Sequence, residues 1–224
     1  MLTENQILFL KNHLPFFNTL TKNHQELISN NGICKVFSKN DDLLNMGSEC
    51  TGLVALISGQ LRAFITSPEG KEITLYRLID NDICIMTASC LLKDLNFEIN
   101  FRIEKESNII LIHQIIYNMI NNEDAVVKEY TLSLVSSRFS DVMWVVEQLV
   151  FSSMGKRLAN FLLEHSALEG NNTLHITHEF IANDLGSARE VITRLLKYFQ
   201  DDGLVKLSRA SITIEDYKRL NQVG

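Results

Sequence analysis

The spacing of apolar positions changes twice along the chain, and the three regimes predict three parts. Thr3-Glu4-Asn5-Gln6 has the spacing of a capping box, with Ile7, Leu8, Leu10 and Leu14 following before Pro15, so the chain opens on a helix. Between Cys34 and Ile112 the period falls toward two, in short runs separated by turn residues. Leu53–Ile57 and Leu61–Thr66 flank Ser58-Gly59-Gln60, which predicts a tight hairpin there. Ser67-Pro68-Glu69-Gly70 predicts the next turn, before a strand over Glu72–Leu78. The strictest alternation lies in Phe97-Glu98-Ile99-Asn100-Phe101-Arg102-Ile103. Short strands repeated at this spacing predict a small antiparallel barrel or roll.

From Asp124 to Phe151 the period becomes helical. Leu132, Val135, Phe139, Val142, Val146 and Leu149 follow at intervals of 3, 4, 3, 4 and 3 residues. That is a heptad seam, on a helix about 40 Å long. Trp144, Val145, Val150 and Phe151 widen the apolar surface beyond one stripe, so two neighbours are expected, one of them a second copy of the chain. Ser152-Ser153 then breaks the period, with Ser153 placed as the N-cap of a helix over Met154–His165. This is the expected hinge.

The most informative stretch runs from Thr177 to Lys197. Thr177 is placed to cap a short helix, Ala182 is small enough for a second helix to cross closely, and Gly186 permits a left-handed turn. Ser187-x-x-Glu190 has capping-box spacing at the start of the second helix. Ile181, Leu185, Ile192 and Leu195 are expected to pack between the pair. At about 100° per residue, Val191, Ile192, Leu195, Leu196 and Phe199 fall on one side of that helix. Arg189, Glu190, Thr193, Arg194 and Lys197 fall within about 140° on the other. Asp202-Gly203 turns the chain into Leu204–Leu207 and Ile212–Ile214, two strands around Ser208-Arg209-Ala210-Ser211. A helix-turn-helix followed by a hairpin predicts a winged helix, with Lys206 and Arg209 placed for phosphate.

Composition changes this picture little. Of 224 residues, 46% are apolar and 21% charged, and only two are proline, so a long disordered linker is not expected. The net charge of −6 disfavours nucleic acid only until it is divided between the two parts. Residues 1–150 carry twelve Lys and Arg against eighteen Asp and Glu, whereas 151–224 carry nine of each. The acidity belongs to the first part, and a neutral module binds DNA if its cations share a face. No leader-like start and no bilayer-length apolar run is present, so a cytoplasmic location is expected, with no membrane partner.

Cys34, Cys50, Cys84 and Cys90 form no Cys-x-x-Cys pair and are expected to be free thiols. His13, His24, His113, His165, His175 and His178 are scattered, with no cluster among the strands, so neither a metal nor another cofactor is expected. For the same reason a metal-dependent β-barrel enzyme is disfavoured.

The order of parts resembles the Crp/Fnr regulators, the family of the cyclic-AMP receptor protein, whose docking on DNA is a general reference case for the helix-turn-helix. The resemblance covers nearly the whole chain and rests on Leu14-Pro15-Phe16-Phe17, Ile57-Ser58-Gly59, Gly70-Lys71-Glu72-Ile73-Thr74-Leu75-Tyr76 and above all Ile176–Ile214. It implies an α+β chain. A double-stranded β-helix (jelly-roll) sensor would occupy 1–123, a dimerisation helix 124–151, and a winged helix-turn-helix 152–224. It implies a homodimer on double-stranded DNA, acting with RNA polymerase. By resemblance Arg189, Glu190 and Arg194 read base edges at a TGTGA-like half-site, with Thr177, His178, Ser187, Thr193, Lys197, Lys206 and Arg209 completing the interface. Ala210 departs from the glycine many relatives carry at the wing tip.

The sensor departs further. A cyclic-nucleotide site of this family has a Gly-Glu-Leu turn and an Arg-Ser or Arg-Thr pair. Here the matching stretches are Ile85-Met86-Thr87-Ala88-Ser89-Cys90 and Phe97-Glu98, and the base-contacting pair on the long helix aligns with Val142-Met143. A phosphodiester needs cationic or amide donors, so cyclic AMP is not the expected ligand. The effector pocket is expected among Met86, Thr87, Cys90, Phe97, Arg138, Val142 and Met143, its small-molecule effector unknown. Two alternatives are a cyclic-nucleotide regulator with a degenerate pocket and a redox regulator acting through Cys84 or Cys90. The iron-sulfur branch of the family is disfavoured, because no N-terminal cysteine cluster is present.

Overall fold

Thr3 begins the first helix as its spacing predicts: its Oγ1 accepts from Gln6 N at 3.4 Å, and Gln6 Oε1 accepts from Thr3 N at 2.8 Å. The computed structural model describes residues 1–41, 52–85 and 99–223. Helix α1 (Glu4–His13) ends at Leu14. A 3₁₀ turn (Phe17–Thr19) and α2 (Lys22–Asn31, capped by Thr21) follow. Together they bury Leu10, Leu14, Phe16, Phe17 and Ile28.

Among the described residues five strands form the roll: β1 (Ile33–Phe37), β2 (Leu53–Thr66), β3 (Glu72–Leu78), β4 (Ile83–Ile85) and β5 (Asn100–Ile112). Their order is β1-β5-β2-β3, with β4 paired to β2. The pairs β1–β5, β2–β4 and β2–β5 are antiparallel. One face of β2 and β5 encloses Leu56, Leu61, Phe101, Ile103 and Ile109 with Phe37. Arg77 Nε and its terminal nitrogen reach the two carboxylate oxygens of Glu104 at 2.8 and 3.2 Å. Gln60 Nε2 donates to the same carboxylate at 2.8 Å, tying β2, β3 and β5 together. The fold is the α+β arrangement expected, a jelly-roll preceding a winged helix.

The hairpin expected at Ser58-Gly59-Gln60 does not form. Strand β2 runs through it and keeps β5 as partner from Leu53↔Ile112 to Phe64↔Asn100, slipping register around Ser58 and Gln60. Gly59 is a bulge with φ +111°, and a Cβ there would lie 2.2 Å from Ser107 Oγ and 2.5 Å from the Glu106 carbonyl oxygen. Its N–H donates to Asp80 Oδ1 at 2.6 Å, and Gln60 N donates to Ser107 Oγ at 3.1 Å. The extra residue bends both long strands at one place, as a roll requires. Gly59→Ala is therefore expected to cost about 2–4 kcal/mol in a urea unfolding titration, from the left-handed backbone and the clash together.

The turn at 67–70 forms as predicted, with Gly70 at φ +80° and Ser67 N donating to the Lys71 carbonyl at 2.8 Å. Phe101 and Ile103 are buried, as the alternation implies, while Phe97 and Glu98 lie outside the described residues.

Helices α3 (Gln114–Glu123) and α4 (Ala125–Phe151) follow, separated by Asp124, whose Oδ1 accepts from Val126 N and Val127 N at 2.9 and 3.3 Å. Val127 and Thr131 are the buried residues of α4. Tyr117 packs its hydroxyl 2.6 Å from Thr131 Oγ1, and burial pushes its phenol up to about 12. Thr131 Oγ1 also lies 2.7 Å from Asn121 Oδ1.

Ser153 caps α5 (Met154–Glu169), its Oγ accepting from Lys156 N at 3.1 Å, and Gly170 closes the helix in the left-handed conformation. Then come β6 (Thr173–Leu174), α6 (His178–Leu185), α7 (Arg189–Asp201), β7 (Val205–Ser208), β8 (Ser211–Ile214) and α8 (Tyr217–Leu220). The second sheet has the order β6-β8-β7. Leu158, Leu162, Ile181, Ile192, Leu196 and Ile212 form the centre of its core. The chain divides into two compact units, 1–64 with 75–142, and 65–74 with 143–224. Among the described residues no helix is long and apolar enough to cross a membrane.

Candidate nucleic-acid interface

The pair α6–α7 is built by two local devices and one glycine. Thr177 Oγ1 accepts from Phe180 N at 3.1 Å, which caps α6 as its sequence position predicts. Gly186 ends α6 at φ +64°, and its own N–H bonds back to the Ala182 carbonyl. Glycine is required there twice over. The backbone is left-handed, and a Cβ would lie 2.5 Å from Ile73 Cγ1 in the segment 65–74. Thr74 Oγ1 in the same segment donates to Asp184 Oδ1 at 2.6 Å, and Arg157 donates to the Leu185 carbonyl. The turn between the helices is thus held from three sides.

The capping box expected at Ser187 does not form. The residue before α7 is Ala188, with no side-chain cap, and Ser187 N donates instead to the Ala182 carbonyl at 2.9 Å. Closing the C-terminus of α6 takes Ser187 out of register with the next helix. Ile181, Ala182 and Ile192 are buried between the helices as expected, with Leu185 and Leu195 partly so.

Helix α7 presents Arg189, Glu190, Thr193, Arg194 and Lys197 as one exposed polar face. Its opposite face buries Ile192, Leu196 and Phe199. Beside its start lies an open cleft of about 470 Å³, lined by Thr177, His178, Glu179, Arg189, Ser208 and Ala210 among others. His178 is half-buried, and its Nδ1 lies 2.9 Å from Thr193 Oγ1. Burial, aided by the Arg189 charge, pushes its imidazole down, disfavouring the charged form.

On the other rim, β7 and β8 pair from Val205↔Ile214 to Ser208↔Ser211, leaving Arg209 and Ala210 as the tip. Lys206 and Arg209 are exposed. Ala210 adopts φ +59°, the conformation for which glycine is preferred. Ala210→Gly is expected to stabilise the chain by up to about 1 kcal/mol in thermal unfolding, relief of backbone strain outweighing the entropy of glycine.

The long helix carries the second candidate surface. Leu132, Phe139, Val146 and Leu149 of the heptad seam are exposed, while Val135 and Val142 are half-buried. Met143, Trp144, Val150 and Phe151 extend the same apolar exposure, Phe151 to 82%. So much apolar area on one helix exceeds the scatter of single exposed side chains normal for a monomer.

Of the residues expected at an effector pocket, Met86, Thr87, Cys90 and Phe97 lie outside the described residues, as does Cys50. Among the others, Val142 is half-buried, Met143 exposed, and Arg138 engages the roll. Its guanidinium lies 4.8 Å over the Tyr76 ring and 2.8 Å from Asp141 Oδ2. Tyr76 in turn sets its hydroxyl 3.8 Å from Cys84 Sγ. Sequence gives no sign of the contact between Tyr76 and Arg138, because it joins β3 to α4 across more than sixty residues. Burial pushes the Cys84 thiol up, the opposite of what a peroxide-reactive cysteine needs.

A Crp-like helix-turn-helix domain matches residues 156–223. A chain from Eubacterium rectale, assigned to the Crp/Fnr family of transcriptional regulators, is 50% identical. That match covers 94% of this chain and 98% of the other, with a TM-score of 0.90. The global nitrogen regulator of Synechocystis is 30% identical over 95 residues, which span 39% of this chain and 42% of that regulator. The c-di-GMP responsive global regulator CLP of Xanthomonas campestris is 17% identical with a TM-score of 0.72, over 88% of this chain and 100% of the other, a likeness of fold.

Proposed function

Because the chain belongs to the Crp/Fnr family of transcriptional regulators, we propose that it binds double-stranded DNA as a homodimer, placing two copies of α7 in successive major grooves at an inverted repeat. The observation that carries this reading is the exposed face of α7, where Arg189, Glu190, Thr193, Arg194 and Lys197 stand together on a helix whose other face is buried. Arg189 and Arg194 donate to guanine O6 and N7, and Glu190 accepts from cytosine N4. Thr177, Ser187, Lys197, Lys206 and Arg209 hold phosphates, which fix register without reading sequence. In this reading 152–224 is the DNA-binding module, 124–151 the dimerisation helix and 1–123 the sensor. The dimer acts in the cytoplasm with RNA polymerase.

The exposed seam of α4 supports self-association. The sensor takes a small molecule other than cyclic AMP, in a pocket to which Arg138, Val142 and Met143 contribute. Arg138 has Asp141 and the Tyr76 ring as partners, while its buried Nε makes no hydrogen bond; what speaks against cyclic AMP is the apolar Val142-Met143 pair where the family's binders meet the base. Millimolar cyclic AMP is expected to give no heat in titration calorimetry and no change in DNA affinity. A micromolar dissociation constant would overturn this view of the pocket. DNA binding itself is tested by gel retardation of a random duplex pool at several salt concentrations. Retardation that weakens steeply with salt is expected. No retardation at low salt would instead assign the winged helix to a protein partner.

A further inference from the structure

We propose that His178 is a positioning residue for base readout: by holding the hydroxyl of Thr193 it turns the threonine methyl toward the groove, so that each half-site carries a thymine read through its C5-methyl group. This rests on the DNA reading above and goes beyond it in assigning how one side chain of α7 reads a base.

A threonine inside a helix divides between two side-chain rotamers, because its hydroxyl bonds well to a carbonyl three or four residues earlier. For Thr193 those carbonyls belong to Glu190 and Arg189. The hydroxyl is engaged elsewhere, 2.9 Å from His178 Nδ1, across the helix pair. Rotation about the Cα–Cβ bond carries hydroxyl, methyl and hydrogen round together, so what captures the hydroxyl also decides where the methyl goes. Thr193 is exposed on the face it shares with Arg189 and Arg194, so with Oγ1 held toward α6 the methyl is the branch left for the groove. In the major groove thymine is marked by its methyl, which an aliphatic group contacts favourably. His178 is half-buried and lines the cleft beside the start of α7, so its ring is confined rather than free to follow the threonine.

The test is binding-site selection with the full-length chain and four variants. Thr193→Val keeps a branched apolar side chain and is expected to keep the thymine. His178→Leu cannot hold the hydroxyl and is expected to weaken discrimination at that base pair about three- to tenfold, the worth of one hydrogen bond, leaving the Arg189 and Arg194 positions unchanged. His178→Asn, whose amide reaches about where Nδ1 lies, is expected to restore the preference. In the Thr193→Val background, His178→Leu is expected to have no effect on base preference. Loss of the thymine in Thr193→Val would show that the hydroxyl reads the base, and would overturn the proposal. So would an His178→Leu effect that is uniform over all sequences or that persists beside Thr193→Val. If the unsubstituted chain selects no sequence at all, the DNA reading fails first, a result distinct from any of these.

Discussion

Val146→Asp is expected to convert the proposed dimer to a monomer without unfolding the chain. Val146 is 42% exposed in the single chain, so a carboxylate there stays in water and folding is little affected. At a closed seam the same carboxylate would be enclosed by Phe139, Val142, Met143, Leu149 and Val150, which lie within two turns of it on α4. An uncompensated buried charge costs several kcal/mol. Two-fold symmetry introduces it twice, and places like charges near one another across the axis. Sedimentation velocity should show the monomer mass, with far-ultraviolet circular dichroism unchanged. Loss of the second half-site contact should lower affinity for an inverted repeat by about 10²–10⁴-fold. A variant that remains dimeric would move the interface off this seam.

Arg189→Ala is expected to relax specificity at one base pair of each half-site. A bidentate arginine–guanine pair is worth about 1–3 kcal/mol of discrimination, roughly 5- to 150-fold at that position. Arg189 stands exposed in the first turn of α7 and lines the cleft between α6 and the wing. Lys197→Ala and Arg209→Ala should behave differently. Lys197 lies two turns further along α7 and Arg209 at the wing tip. Each should weaken all sequences alike and make the salt dependence shallower by about one unit of slope per phosphate contact removed. If Arg189→Ala lowers affinity uniformly and leaves the selected consensus intact, Arg189 holds a phosphate and the assignment of base readout must change.

What could be read from sequence was local. Thr3 and Gln6, the Ser67–Gly70 turn, Asp124 with α4, Ser153 and Thr177 all act within four residues of themselves, and each appears where its spacing places it. Gly59 misled because a serine-glycine pair has the same local signature in a hairpin turn and in a bulge. What decides is Ser107, nearly fifty residues away. Ser187 misled because two helix ends compete for it, and the closure of α6 prevails. Strand β6 is two residues long and exists through its pairing with β8, so no periodicity announces it. Helix α2 is mostly polar and is held by buried Ile28 and by His24, whose Nε2 lies 3.0 Å from Glu123 Oε2. The polar face of α7 was legible because helical geometry alone sorts it. The link from His178 to Thr193 was not, since it depends on how α6 crosses α7.

In the proposed complex two copies of α7 read one DNA site together. Selection of duplexes from a random pool with the full-length chain, followed by sequencing, measures this directly. The expected result is an inverted repeat whose half-site centres lie about one helical turn apart, about 34 Å or 10–10.5 base pairs, each half-site containing a guanine whose enrichment disappears in Arg189→Ala. Enrichment of a solitary half-site, of a direct repeat, or of no sequence would contradict it.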